Sequence, residues 1–362
     1  MPARPRTAPL AVLLILAAAL AGACARLTGL AAPTTTTTTT TTSTSTSTTV
    51  APTTTSTTVA PTTTTTAPAP PRYALSGRPA TDLGTAGRAA VAVKIDNIAA
   101  ARPQAGILAA DVVYEEFTEG VTRFIAVYHS QDAETVGPVR SVRPADPVII
   151  TPLDGVLAFS GGSPGAVAVA ADTPLTLVME DDVEVMHRRG DRVAPHNLYT
   201  STAGLFSRVP ADTGSPRAFA TFLRDGQSFG GPGASPVTNI SLVPADWVTA
   251  DYTWAPESST WLRSTDGVPH LVEEGRIAPT TVIVQFTPYQ YFVDDYNVQY
   301  PEVLGSGDAW VFAAGTMVRG TWHKASPASV TNFVDSDGAP IAIPPGQTWV
   351  HLVAPGSAVT TG

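Results

Sequence analysis

Between positions 73 and 362 the apolar residues fall into short blocks rich in Val, Ile, Tyr and Phe, bounded by Gly, Pro, Asp and Ser. That is the signature of strands closed by turns. Ala90 to Ile95 reads as a strand, and Pro103 to Ala110, opened by a proline, as a short helix. Val112 to Phe117 and Thr122 to Ser130 flank Thr118-Glu119-Gly120-Val121 and predict an antiparallel hairpin. Ala145 to Leu153 reads as a helix, weakened by Pro147 and Pro152. Gly155 to Phe159 reads as a buried strand, and Gly165 to Ala171, Thr202 to Val209 and Arg217 to Leu223 as short helices. Asp225 to Pro236 then breaks the pattern with four glycines and two prolines. Beyond it, Val237 to Val243, Thr260 to Arg263, Thr281 to Thr287, Trp310 to Ala313, Met317 to His323 and Thr348 to Val353 all read as strands. The expected fold class is α+β. It comprises a mixed N-terminal domain over 73–224, a Gly/Pro linker over 225–236, a mostly β C-terminal domain over 237–354 and a tail over 355–362.

The first 72 residues have a different pattern. Two arginines in Met1 to Thr7 precede an apolar run, Ala8 to Gly22, too short to span a bilayer comfortably as a permanent helix. It ends in Leu20-Ala21-Gly22-Ala23-Cys24, and Cys24 is the single cysteine of the chain. Small residues before a lone cysteine resemble a bacterial lipobox, although Ala21 stands where leucine is usual. Residues 1–23 are therefore expected to be a signal peptide and Cys24 a lipidated N-terminus; the alternative is plain cleavage leaving an idle thiol. Pro33 to Pro71 is almost wholly Thr, Ser, Pro, Ala and Val. It offers nothing to offset the entropy of ordering, so residues 24–72 are expected to form a disordered linker. The 39 residues from Pro33 to Pro71 would reach roughly 35 Å as a coil and up to about 120 Å as polyproline II. An exported protein, tethered by lipid to the outer face of the cytoplasmic membrane, is the expectation.

Charge narrows the partners. Setting aside the four arginines of the first 72 residues, which hold no acid, leaves 17 bases against 30 acids, a net of −13. A nucleic-acid reader needs a basic face, and none is visible. Only Lys94 and Lys324 are lysines. No cofactor motif is present. The six histidines (His129, His187, His196, His270, His323 and His351) include no i, i+4 pair, so no metal is expected.

Three constellations carry candidate chemistry. Gly161-Gly162-Ser163-Pro164-Gly165 fits the nucleophile-elbow pattern. Pro164, however, removes the N–H that such an elbow uses for its oxyanion hole, so a plain strand-to-helix turn is the better reading. Glu115 and Glu116 look like a glycosidase carboxylate pair, but adjacent residues of a strand face opposite sides, so they cannot form one dyad. Arg123, Arg140 and Arg143 offer planar forks suited to carboxylates and phosphates. They read either as an anion site or as internal ion pairs with Glu115, Glu116 or Glu119.

Several stretches together resemble one family. They are Val91-Ala92-Val93-Lys94-Ile95-Asp96-Asn97, Ala101-Arg102-Pro103-Gln104-Ala105-Gly106, Asp111-Val112-Val113-Tyr114-Glu115-Glu116, and Thr122-Arg123-Phe124. Val136 to Pro144, Ala194-Pro195-His196-Asn197-Leu198-Tyr199, Gly320-Thr321-Trp322-His323-Lys324 and Pro345 to Val350 continue the series. The chain is similar over roughly Tyr73 to Val353 to the YerB-type lipoproteins, a bacterial family of unknown function with N- and C-terminal domains. The resemblance implies a lipid-anchored envelope protein with a layered-sandwich α+β N-terminal domain, and no established reaction. It marks Asp96, Asn97, Glu115, Glu116, Arg123, Arg140, Arg143, His196 and Asn197 as characteristic polar positions. Trp322, Lys324 and Trp349 are a second set, read as core rather than as a sugar platform. The expected function is binding of an anionic cell-wall component or envelope partner. The alternative is a glycan-acting envelope enzyme with a glutamate among Glu115, Glu116 and Glu119 as acid or base.

Overall fold

The computed structural model describes residues 70–245, 248–292 and 298–362. The expected signal peptide, Cys24 and nearly all of the expected Thr-rich linker lie outside them.

The sequence blocks become strands where expected, and the longer ones organise the molecule. In chain order these are β1 (Ala90–Asp96), β2 (Val112–Thr118) and β3 (Val121–Tyr128), then helix α1 (Ala145–Ile150), β4 (Gly155–Ala158), helix α2 (Pro164–Ala171), β5 (Thr176–Val178) and helix α3 (Thr202–Phe206). The second half supplies β6 (Asn239–Ala245), β7 (Val248–Ala255), β8 (Thr260–Thr265), β9 (Thr281–Phe286), β10 (Gly305–Ala313), β11 (Thr316–Lys324), β12 (Asn332–Val334), β13 (Thr348–Val353) and β14 (Val359–Thr361). The chain is mostly β, with helices of eight residues or fewer.

One large sheet runs β12-β11-β10-β9-β13-β2-β3-β1-β4-β5. Strand β13, from the end of the chain, lies parallel to both β2 and β9 and joins the two halves edge to edge. The described residues from 70 onward accordingly form one compact unit. A second sheet contains β8-β7-β6-β14 and the short strand Val268–Pro269.

Alternation along the strands sorts the core into clusters. On one face of the large sheet, Ala90, Ala92, Tyr114 and Ile125 pack with Ile149 and Ile150 of α1 and Ala166 and Ala170 of α2. On the other, Val91, Val93, Val113 and Phe124 pack with Val185, Leu198 and Leu205, while Val282, Val284 and Phe312 pack with Ile240, Tyr252 and Trp261 of the second sheet. Trp322 and Trp349 are both buried.

Two local expectations are corrected. Pro103 to Ala110 contains only the single 3-10 turn Ile107–Ala109, because Gly106 enters it in the left-handed region, at φ 83°. Arg217 to Leu223 is no helix: Phe219 N–H donates to Ala74 O, and Leu223 N–H to Ile343 O, so its backbone hydrogen bonds go to distant segments. The strand β7 carries no expectation from its sequence and is found only in the structure.

Candidate functional site

Adjacent positions on β2 send Glu115 and Glu116 to opposite faces, each into a separate buried network. Glu116 faces α1. Its carboxylate meets Lys94 Nζ, which also lies 2.8 Å from Asp146, and all three side chains are buried. Burial and the neighbouring Asp146 push the Glu116 carboxyl up to about 7, against the pull of Lys94.

Glu115 faces the second sheet. Across β2 and β13 it is paired in register with His351, and across β7 and β8 Tyr252 is paired with Arg263. The two pairs meet: Arg263 Nη1 is 2.8 Å from Glu115 Oε2, and Arg263 also donates to Tyr252 Oη at 2.6 Å. Tyr252 Oη lies 2.8 Å from His351 Nε2; the Glu115 carboxylate, 3.2 Å from Nδ1 of the same ring, favours the proton on Nδ1 and leaves Nε2 to accept from the tyrosine hydroxyl. Thr122 Oγ1 donates to Glu115 Oε1 at 2.7 Å, and the Arg263 guanidinium lies 4.7 Å from the Trp349 ring centre. Burial opposes the Glu115 charge, but Arg263, His351 and Thr122 outweigh it and hold the carboxyl below its ordinary value. Burial draws His351 down to about 4, and burial with Arg263 draws His270 down to about 2, so both rings are neutral near pH 7. Asn97 belongs here too, donating to Thr122 Oγ1 at 2.8 Å and accepting from Gln104 at 3.1 Å. Glu115 and Glu116 are fully buried, and neither lines a cleft among the described residues.

The arginines gather at the hairpin end of the large sheet. A two-residue loop, Glu119-Gly120, closes β2 onto β3 with both residues in the left-handed region, the geometry of a type I′ turn. It places Glu119 between two guanidinium groups: Arg143 Nη2 at 2.5 Å and Arg123 Nη2 at 3.3 Å. Arg143 is further held by Thr118 Oγ1 and the carbonyls of Ser141 and Val142. Beside it, Asp96 Oδ2 lies 2.7 Å from His196 Nδ1 and 2.9 Å from Arg140 Nε. Of the arginine–glutamate pairs expected, only those to Glu119 form; Glu115 and Glu116 take Arg263 and Lys94 instead.

Three guanidinium groups thus face two carboxylates. Arg123, 6% exposed, has Nε and Nη1 without an acceptor among the described residues. The Arg140 ion pair is not aligned as a hydrogen bond either. Burial, followed by the like charges of Arg143 and Arg140, lowers Arg123 to about 10. A cleft of about 220 Å³, lined by Glu119, Ser141, Arg143, Gly162, Ser163 and Val298, adjoins the cluster.

Asn197 lies apart, accepting from Arg188 on the surface at 2.9 Å. Ser163 is the cap of α2, accepting from Ala166 N–H at 3.2 Å. Among the described residues no group of histidines, cysteines and acids is placed to hold a metal, and no helix is long and apolar enough to cross a membrane. The sequence reading missed Arg263, His351, Tyr252 and Asp146. A signal existed for Lys94, a single cation inside the apolar run Ala90–Ile95, since a charge there demands buried partners.

Comparison with known proteins adds ancestry to this geometry. Residues 75–215 match the N-terminal domain of a protein family of unknown function, DUF3048, and residues 243–350 match its C-terminal domain. A Bacillus subtilis (strain 168) protein named “Putative lipoprotein YerB” is 28% identical over 285 residues, spanning 74% of this chain and 81% of its own. The crystal structure of the YerB protein from Bacillus subtilis has the same fold, with a TM-score of 0.69 at 24% identity, covering 80% of this chain and 99% of the other. Matched by both domain models in order, the chain belongs to the DUF3048, or YerB-like, family.

Proposed function

We propose that this chain is an exported, lipid-anchored envelope protein that binds an anionic group of the cell wall, or of an envelope partner, at the Arg123–Arg140–Arg143 cluster. The observation that carries the reading is the surplus of guanidinium over carboxylate among the described residues, with buried N–H groups of Arg123 that have no acceptor among them. A buried donor without a partner costs about 1–3 kcal/mol, and an entering phosphate or carboxylate would remove that cost. The relative named as a lipoprotein and the lone Cys24 after an apolar run support the tether. The folded part carries the binding group, and the Thr-rich segment sets its distance from the membrane.

The test uses the full chain in detergent, mixed with isolated bacterial cell wall and sedimented. The chain is expected to pellet at low salt and to be released by high salt, since the contact is ionic. Arg140→Ala removes one unspent fork at the surface and should weaken pelleting about tenfold. Pelleting that ignores salt and Arg140→Ala would overturn the reading. Soluble glycan fragments in the supernatant would replace it with the enzyme reading.

A further inference from the structure

Away from the arginines, a cleft of about 570 Å³ is bounded by the loop 223–229, Trp254 of β7, Ser259 and Thr280. Its polar groups have a different character from those of the arginine cluster. One cation, Arg224, and one anion, Asp225, line it, so its charge is balanced. Its aromatic wall is Trp254 with Phe229. The indole is held in place: its ring centre is 5.1 Å from that of Trp261, and a Cβ on Gly315 would lie 2.9 Å from Nε1. Trp322 and Trp349 donate their indole N–H groups to Phe286 O and Gln347 Oε1, whereas the Trp254 N–H has no acceptor among the described residues.

The opposite wall is preorganised. Arg224 N–H donates to Gln227 Oε1 at 2.6 Å, and Gln227 N–H returns to Arg224 O at 3.0 Å. Leu223 ties the loop to Ile343, and Asp225 pairs with Arg72 at 3.1 Å. Gln227 has its oxygen engaged and its NH2 without a partner among the described residues, and Ser228 and Ser259 share the cleft lining. A fixed indole and a phenyl ring in one lining with amide, hydroxyl and guanidinium groups suit a ligand with one apolar face and a rim of hydroxyls.

We propose that this cleft is a second binding site, for an uncharged saccharide chain. It is separate from the arginine cluster and does not depend on the function proposed for it. A pyranose ring lays its C–H face on Trp254 and Phe229, and its hydroxyl and acetamido groups take the Trp254 N–H, Gln227 and Arg224.

The probe is the N-acetylglucosamine tetramer, titrated into the full chain in detergent and followed by tryptophan fluorescence and calorimetry. Saturable binding with a Kd on the order of 1 mM or tighter is expected. Gln227→Ala and Arg224→Ala, both on exposed side chains, should each weaken it about three- to tenfold without lowering the melting temperature. Trp254→Phe, which keeps the packing but loses the N–H, should do the same, and Arg140→Ala should leave the affinity unchanged. Absence of saturable binding, equal affinity in the three cleft variants, or saturable binding of a proline-rich peptide in place of the tetramer would each overturn the assignment.

Discussion

At the scale of single residues, the molecule's charged side chains are mostly committed to one another. Glu115 with Arg263, and Glu116 and Asp146 with Lys94, are charges wholly removed from water, tolerable only because each meets its opposite. Arg263→Met should therefore destabilise the fold by about 3–5 kcal/mol in urea, and Glu115→Gln added to it should recover part of the loss. The raised Glu116 carboxyl makes a prediction about pH. A group that holds its proton more tightly when folded contributes stability that is complete below its unfolded value of 4.5 and is lost as pH rises through about 7. Urea midpoints of the wild type and Glu116→Gln should accordingly differ by a constant below pH 4.5, and the wild type should fall relative to the variant up to about pH 7. His270 and His351 act in the opposite sense. Their lowered values mean stability present above pH 6.5 and lost below it, in both proteins alike.

At the scale of elements, the hairpin was legible because Glu119-Gly120 between two apolar runs is turn chemistry that only a tight connection satisfies. The helices were less legible. Arg217 to Leu223 has a composition compatible with a helix, but distant carbonyls at Ala74 and Ile343 claim its N–H groups. Local pattern cannot register such partners. Gly155 shows how closely elements meet: its φ is 151°, and a Cβ there would stand 2.0 Å from Ala90 O on the parallel neighbour β1. Gly155→Ala should cost more than about 2 kcal/mol through that clash, read as a lowered thermal midpoint with unchanged far-ultraviolet circular dichroism below the transition.

At the scale of the whole molecule, β13 is the decisive strand. It is the central neighbour of β2 from one half and β9 from the other, and it carries His351 to Glu115. Gln347, one residue before it, donates to both Ile107 O and Ala110 O. A chain ending at Pro345 should therefore fail to fold, giving collapsed amide dispersion in NMR spectra. The intact chain should show a single calorimetric unfolding transition, because the shared sheet and the buried Glu115–Arg263 contact leave neither half a complete core of its own.

The candidate site shows where the reading of sequence stops. Residue order alone determined the positions of most strands, the opposite facing of Glu115 and Glu116, the scarcity of bases and the strand-to-helix turn at Gly161 to Gly165. Each of these follows from periodicity or chemistry within a few neighbouring positions. The partners of the charges were decided only in three dimensions. Glu119 lies four and twenty-four residues from its arginines, and Glu115 lies 148 from Arg263. Charge pairing depends on which strands become neighbours, and that neighbourhood is created by β13 crossing from the far end of the chain into the middle of the sheet.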